Sequence, residues 1–166
     1  MPLASLIEDN RRAITAEPVK AKVVFAVDGS LVGLTEVDLQ ARDHTVKVDE
    51  PPALGGQDLG ANPVEHALIA LASCQAITYR FWAAQLDIAL DGVEISAEGD
   101  LDVRGFFGFD DDVRSGFTAV RLRITPKGPE SAERYQQLAD AVDAHCPVLD
   151  LFANPTPVER TIAVPA

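Results

Sequence analysis

The chain is poor in sulfur and in positive charge. Cys74 and Cys146 are its only cysteines, beside one methionine and one tryptophan in 166 residues. At most one disulfide can form, and neither a CxxC nor an HxxxH pattern is present. The three histidines, His44, His66 and His145, show no ligand spacing with either cysteine, so no metal and no other cofactor is expected. Lys and Arg number 14 against 26 Asp and Glu, for a formal net charge of -12. That charge repels phosphate backbones and anionic lipid surfaces, which argues against nucleic-acid and membrane partners. Long apolar runs are missing as well: none reaches the roughly 18 residues that a bilayer span needs. The opening stretch MPLASLIEDNRRAI carries charge within ten residues and lacks the apolar core of a secretory signal. The expected compartment is the cytoplasm, where a cysteine pair is more often catalytic or redox-active than a structural staple.

What is present suits one globular domain over residues 1–166. Hydrophobic residues make up 47% and charged residues 24%, the balance of a soluble protein able to bury its own core. Residues 1–18 form an arm, read as a short helix or a loose segment. VKAKVVFAV, LVGLTEVDLQA and HTVKVDE then read as three antiparallel strands, with turns at Asp28-Gly29 and Arg42-Asp43. Residues 49–63, DEPPALGGQDLGANP, form a Pro/Gly-rich loop, long for a connector. The strongest element is NPVEHALIALASCQAITYRFWAAQL. Asn62 can cap it, Pro63 suits the first helical position, and Glu65 completes a capping box. Its apolar character on nearly every face predicts burial all round, in a core or at a subunit interface.

VEISAEGDLDVRG and FTAVRLRIT alternate as two further strands around FFGFDDDVRSG, a turn with exposed aromatics. A helix over 130–145 carries a stripe of Tyr135, Leu138 and Val142 that points Cys146 toward the core. Pro147 opens a short helix, VLDLF, and VERTIAV closes as a last strand. The predicted order is βββ-α-ββ-α-α-β, an α+β fold.

The two thiols differ in setting. Cys74 lies mid-helix, where the macrodipole does little, so a reactive thiolate there needs a cation from elsewhere in the fold. Cys146, just before Pro147, fits the N-cap of the short helix, where free amides favour a thiolate. On the residues alone Cys146 is the easier thiolate. Packing stays open beside chemistry, since free cysteines are among the most buried residues.

GGQDLGANPVEHALIALASC, followed by CPVLDLFANP 72 positions after Cys74, resembles the OsmC/Ohr family of thiol-dependent peroxidases. The shared pattern is a loop ending in Gly-x-Asn-Pro, a Glu early in a long apolar helix, a Cys inside it, and a later Cys-Pro-Val. The resemblance covers about residues 20–164, and DLDVRGFFGF resembles the OsmC-like branch. It implies antiparallel sheets packed on a long buried central helix, in an intertwined homodimer with sites at the interface. It also implies a role in oxidative-stress defence. Cys74 would attack the O–O bond of an organic hydroperoxide or hydrogen peroxide and become a sulfenic acid. Cys146 would condense with it to a disulfide, and a dithiol reductant would restore both.

The family pattern further implies an Arg holding the first thiolate and a Glu orienting that Arg. Here the Arg position reads VDGSLVG, without arginine. Arg42, with Arg11 and Arg12 in the arm, remains as a substitute. Glu65 stands nine positions before Cys74, where the peroxidases have ten and this chain has Val64. Nine helical residues place it on the opposite face and ~13 Å along the axis. Glu65 therefore serves the partner's site or caps its own helix. The expected site is Cys74, Cys146, Glu65 and Arg42. The alternative is a non-catalytic dimer that senses redox state or binds a hydrophobic ligand against residues such as Phe81 and Trp82.

Overall fold

The structure, a computed structural model, describes residues 2–164; Met1, Pro165 and Ala166 of the expected domain lie outside the described residues. Helix α1 (Leu3–Ala16) fills most of the arm and touches the long central helix. Strands β1 (Asp28–Leu31), β2 (Val37–Ala41) and β3 (His44–Val48) form one antiparallel sheet in sequence order. The β2–β3 turn falls at Arg42-Asp43, with Arg42 in the left-handed region at φ 55.

Buried Asp49 then folds the Pro/Gly-rich loop back on itself. Its carboxylate accepts the Thr35 hydroxyl at 2.5 Å and the amides of Glu50, Gln57 and Leu59 at 2.9, 2.8 and 3.3 Å. The Thr35 hydroxyl above all, with those amides, holds this carboxyl at about 2 against the opposing cost of burial. Gly56 is required there, because a Cβ would collide with the Glu50 carbonyl. The loop delivers Asn62 to the start of α2 (Pro63–Gln85).

Along α2, Leu71, Gln75, Thr78, Tyr79 and Ala83 turn inward. They face the hairpin of β4 (Gly92–Asp100) and β5 (Ala119–Lys127), and the helix α4 (Ala132–Asp143). Strict alternation puts Val93, Ile95, Leu122 and Ile124 on the covered side of that hairpin, with Ile95 opposite Ile124 in the ladder. Helix α4 contributes Leu138 and Val142, both fully buried. It is clamped to the open C-terminal end of α2. Arg134 donates to the Leu86 and Asp87 carbonyls at 3.1 and 3.0 Å, and the Tyr135 hydroxyl to the Ala89 carbonyl at 3.1 Å. A cation on these orphan carbonyls satisfies them and complements the helix dipole. Helix α5 (Pro147–Ala153) follows after two residues and a cap.

The α+β class and the central helix stand, while several local expectations change. The observed order is α-βββ-α-β-α-β-α-α, because the arm is helical and α3 (Val103–Phe107) forms between β4 and β5. VKAKVVFAV is not a strand. Pro18–Ala21 is a 3-10 turn and the following residues are extended but unpaired, with Val24 94% exposed. The ladder instead uses Asp28–Leu31, since the tight turn forms where Val32 and Gly33 donate to the Glu36 carbonyl. Apolar content favours extended chain; the position of the turn chooses what pairs. VERTIAV likewise stays unpaired, with Val158 88% exposed, since among the described residues no strand lies beside it. Helix α2 is covered on one side only: Ile69, Ile77 and Phe81 face outward.

Candidate active site

Cys74 sits in the middle of α2, half-buried on the border between its covered and open faces. The Thr78 hydroxyl donates to its carbonyl at 2.8 Å. Opposite, α4 ends at Asp143, and Ala144 and His145 lead to Cys146 at the N-cap of α5. Packing of α5 against α2 makes Cys74 and Cys146 neighbours, close enough for the Cys74 side chain to perturb the Cys146 thiol. Both are free thiols. The fold thus joins two side chains 72 positions apart.

The N-cap placement of Cys146 follows the expectation, but its electrostatic consequence does not. Cys146 is 2% exposed, and burial pushes its thiol up, with the Cys74 thiol adding to the rise. The amides of Leu149 and Val148 pull the other way and lose. Desolvation of a charged sulfur exceeds what the amides of a one- to two-turn helix return. Burial therefore works against a thiolate at Cys146, opposite to the expectation from its N-cap place.

Glu65 is committed to its own helix. Its amide donates to Asn62 Oδ1 at 2.9 Å while Oε2 accepts the Asn62 amide at 2.8 Å. Arg42 is exposed at its hairpin tip. Among the described residues neither Arg42 nor Glu65 forms a hydrogen bond or ion pair with either thiol. Arg11 and Arg12 pair with Glu8 and Asp9 along α1.

Two residues that the sequence did not single out for the site stand beside the thiols in the chain. Gln75, next to Cys74, is fully buried, and neither its Oε1 nor its Nε2 has a hydrogen-bond partner among the described residues. Its signal was a lone amide within an apolar run. His145 lies with its ring centroid 4.1 Å from that of Trp82 and its Nδ1 2.7 Å from the Ala141 carbonyl. His145 and Cys146 line a pocket of about 330 Å³ together with Asp143, Pro147, Asp150 and Asn154. A larger cavity of about 690 Å³ opens between β5 and α5, lined by Leu71, Phe117, Leu122, Leu149 and Phe152, with Arg114. No group of three His, Cys, Asp or Glu able to hold a metal occurs among the described residues, and no helix there is long and apolar enough to cross a membrane.

Solved structures share this architecture. An OsmC like protein from Mycoplasma pneumoniae superposes with a TM-score of 0.70 at 16% identity, over 80% of this chain and 89% of that one. An organic hydroperoxide resistance protein from Legionella pneumophila gives 0.61 at 18% identity, over 78% and 89%. An organic hydroperoxide resistance protein from Elizabethkingia anophelis, with crystallant-derived thiocyanate bound, gives 0.60 at 17%, over 78% and 88%. At these identities the likeness is one of fold. No curated protein matches the sequence. The family model for OsmC-like proteins, however, matches residues 55–161, a span that holds both thiols, the cap of α2 and the α4–α5 junction, and the chain belongs to that family.

Proposed function

We propose that the protein is a homodimeric, thiol-dependent hydroperoxide reductase of oxidative-stress defence, with Cys74 attacking and Cys146 resolving. The observation that carries this reading is the proximity of the two free thiols, one half-buried and one buried. In the first step the Cys74 thiolate attacks the peroxide O–O bond. Its sulfur is oxidised to sulfenic acid and an alcohol, or water from hydrogen peroxide, leaves. In the second, Cys146 displaces hydroxide from that sulfur, giving a disulfide and water. A dithiol then reduces the bond by exchange. The hydroperoxide resistance proteins that share the fold support this substrate class.

The dimer rests on exposed area. A compact monomer of 17.8 kDa exposes about 8,000 Å², whereas this chain exposes 12029 Å². The surplus suits an obligate interface, and it includes Ile69, Ile77 and Phe81 on α2 beside Cys74. A cation for the Cys74 thiolate then comes from Arg42 or another arginine of the second chain, and Glu65 stays a cap.

The test is to treat reduced protein with cumene hydroperoxide or hydrogen peroxide and follow both thiols by mass spectrometry. Rapid Cys74–Cys146 disulfide formation is expected, with sulfenic acid trapped on Cys74 in Cys146→Ser. Thiols that survive stoichiometric peroxide for hours would sink the reading. The 690 Å³ cavity beside Leu149 supports the alternative, a non-catalytic dimer binding an apolar ligand.

A further inference from the structure

The resolving thiol has a proton to lose and no obvious place to send it. Cys146 is nearly buried, and its neighbours include Cys74 and the amides of Leu149 and Val148, which donate rather than accept. The adjacent residue is built differently. His145 Nδ1 lies 2.7 Å from the Ala141 carbonyl, which can only accept, so Nδ1 carries the hydrogen and Nε2 keeps its lone pair. The Trp82 ring, 4.1 Å away and inclined 33°, holds the imidazole from the α2 side. Tether and ring together fix which nitrogen is the base and how the ring lies. His145 and Cys146 line the same 330 Å³ pocket, which has room for several waters at roughly 30 Å³ each.

We propose that His145 accepts the Cys146 proton through water in this pocket during disulfide formation, and so is a positioning residue for the resolving step. The inference rests on the roles assigned to Cys74 and Cys146 above. The Cys146 S–H passes its proton by way of water to Nε2, and the sulfur attacks the sulfenic sulfur of Cys74. The S–O bond breaks, and the imidazolium returns the proton to the departing hydroxide as water. The charged groups around the ring are Asp143 at the end of α4 and Asp150 on α5, both in the pocket, with Asp140 one turn back on α4; α2 presents uncharged Trp82.

His145→Asn tests this, because an Asn amide can still donate to the Ala141 carbonyl but offers no basic nitrogen. Disulfide formation is timed by acid quench and mass spectrometry across pH, once with cumene hydroperoxide and once with the azo oxidant diamide. Diamide adds to a thiol and is displaced by the second as a hydrazine, so it needs the same Cys146 proton removed without any peroxide chemistry. The variant is expected to close the disulfide roughly 100-fold more slowly with either oxidant, the lower end of general-base effects. It should lose the rise in rate between pH 5 and 8 that an imidazole gives, and regain rate when free imidazole is added. An unchanged rate and pH profile, or a loss that imidazole does not restore, overturns the proposal. If peroxide leaves wild-type thiols intact while diamide closes the bond with this His145 dependence, the peroxidase reading falls and the relay stands. If neither oxidant joins Cys74 to Cys146, both fall.

Discussion

The helical side of the molecule and the β1–β3 sheet are built on different terms. Around α2, Leu138 and Val142 are removed from solvent entirely, and Tyr79, Ala83, Ile88 and Leu90 close the same cluster. In the sheet only Val48 is buried. Its Val37, Leu39 and Val46 line an open apolar trough of about 410 Å³, together with Val27 and with His66 of α2. One chain completes the first core; the second is a surface without its cover. The thiols straddle the difference. Cys146 belongs to the finished core and Cys74 to its edge, so one chain suffices to pair them while the surroundings of Cys74 depend on what covers the open face of α2.

The largest effect should separate the two regions. Leu138→Ala is expected to cost about 2–5 kcal/mol, the range for a fully buried leucine, read as a shift in the urea midpoint. Leu39→Ala should cost less, and its loss should depend on protein concentration, since it acts through association. Equal, concentration-independent losses would break the comparison, because the sheet would then be a core in its own right. Next, Gln75→Leu should stabilise by about 1–3 kcal/mol, the penalty of burying amide atoms without partners. A lowered Tm would instead mean that the amide serves a polar network inside the finished core. Asn62→Ala removes the cap that starts α2 and should cost ~1 kcal/mol, with the change confined to the helical side in hydrogen exchange. The smallest effect belongs to Asp49, which ties the β1–β2 turn to the loop that leads into α2. Its folded carboxyl lies at about 2 against an ordinary 3.8, so its contribution is present above about pH 4 and is lost as pH falls toward about 2. Thermal melts of Asp49→Asn should show a shallower decline over that window than the wild type.

Much of the fold was legible from the residues where the signals are local. The cap at Asn62, Pro63 and Glu65, the Arg42-Asp43 turn, the alternation of β4 and β5, and the Cys146 N-cap each depend on a few adjacent residues. The β1 register was not legible, because VKAKVVFAV and DGSL compete for one partner and a turn at 32–36 decides. VERTIAV has the pattern of a strand, but pairing is a relation between segments, and no neighbour meets it here.

The site divides in the same way. By itself the sequence determined that two thiols exist, that one lies mid-helix and that the other caps a helix, since covalent order and helical period require no more. Only the tertiary structure decided that they are neighbours and that Cys146 is buried. It also decided that His145 meets Trp82. Proximity of residues 72 apart depends on how α4 docks through Arg134 and Tyr135. The charge state of a thiol depends on how much water that docking removes, and no spacing along the chain encodes either quantity.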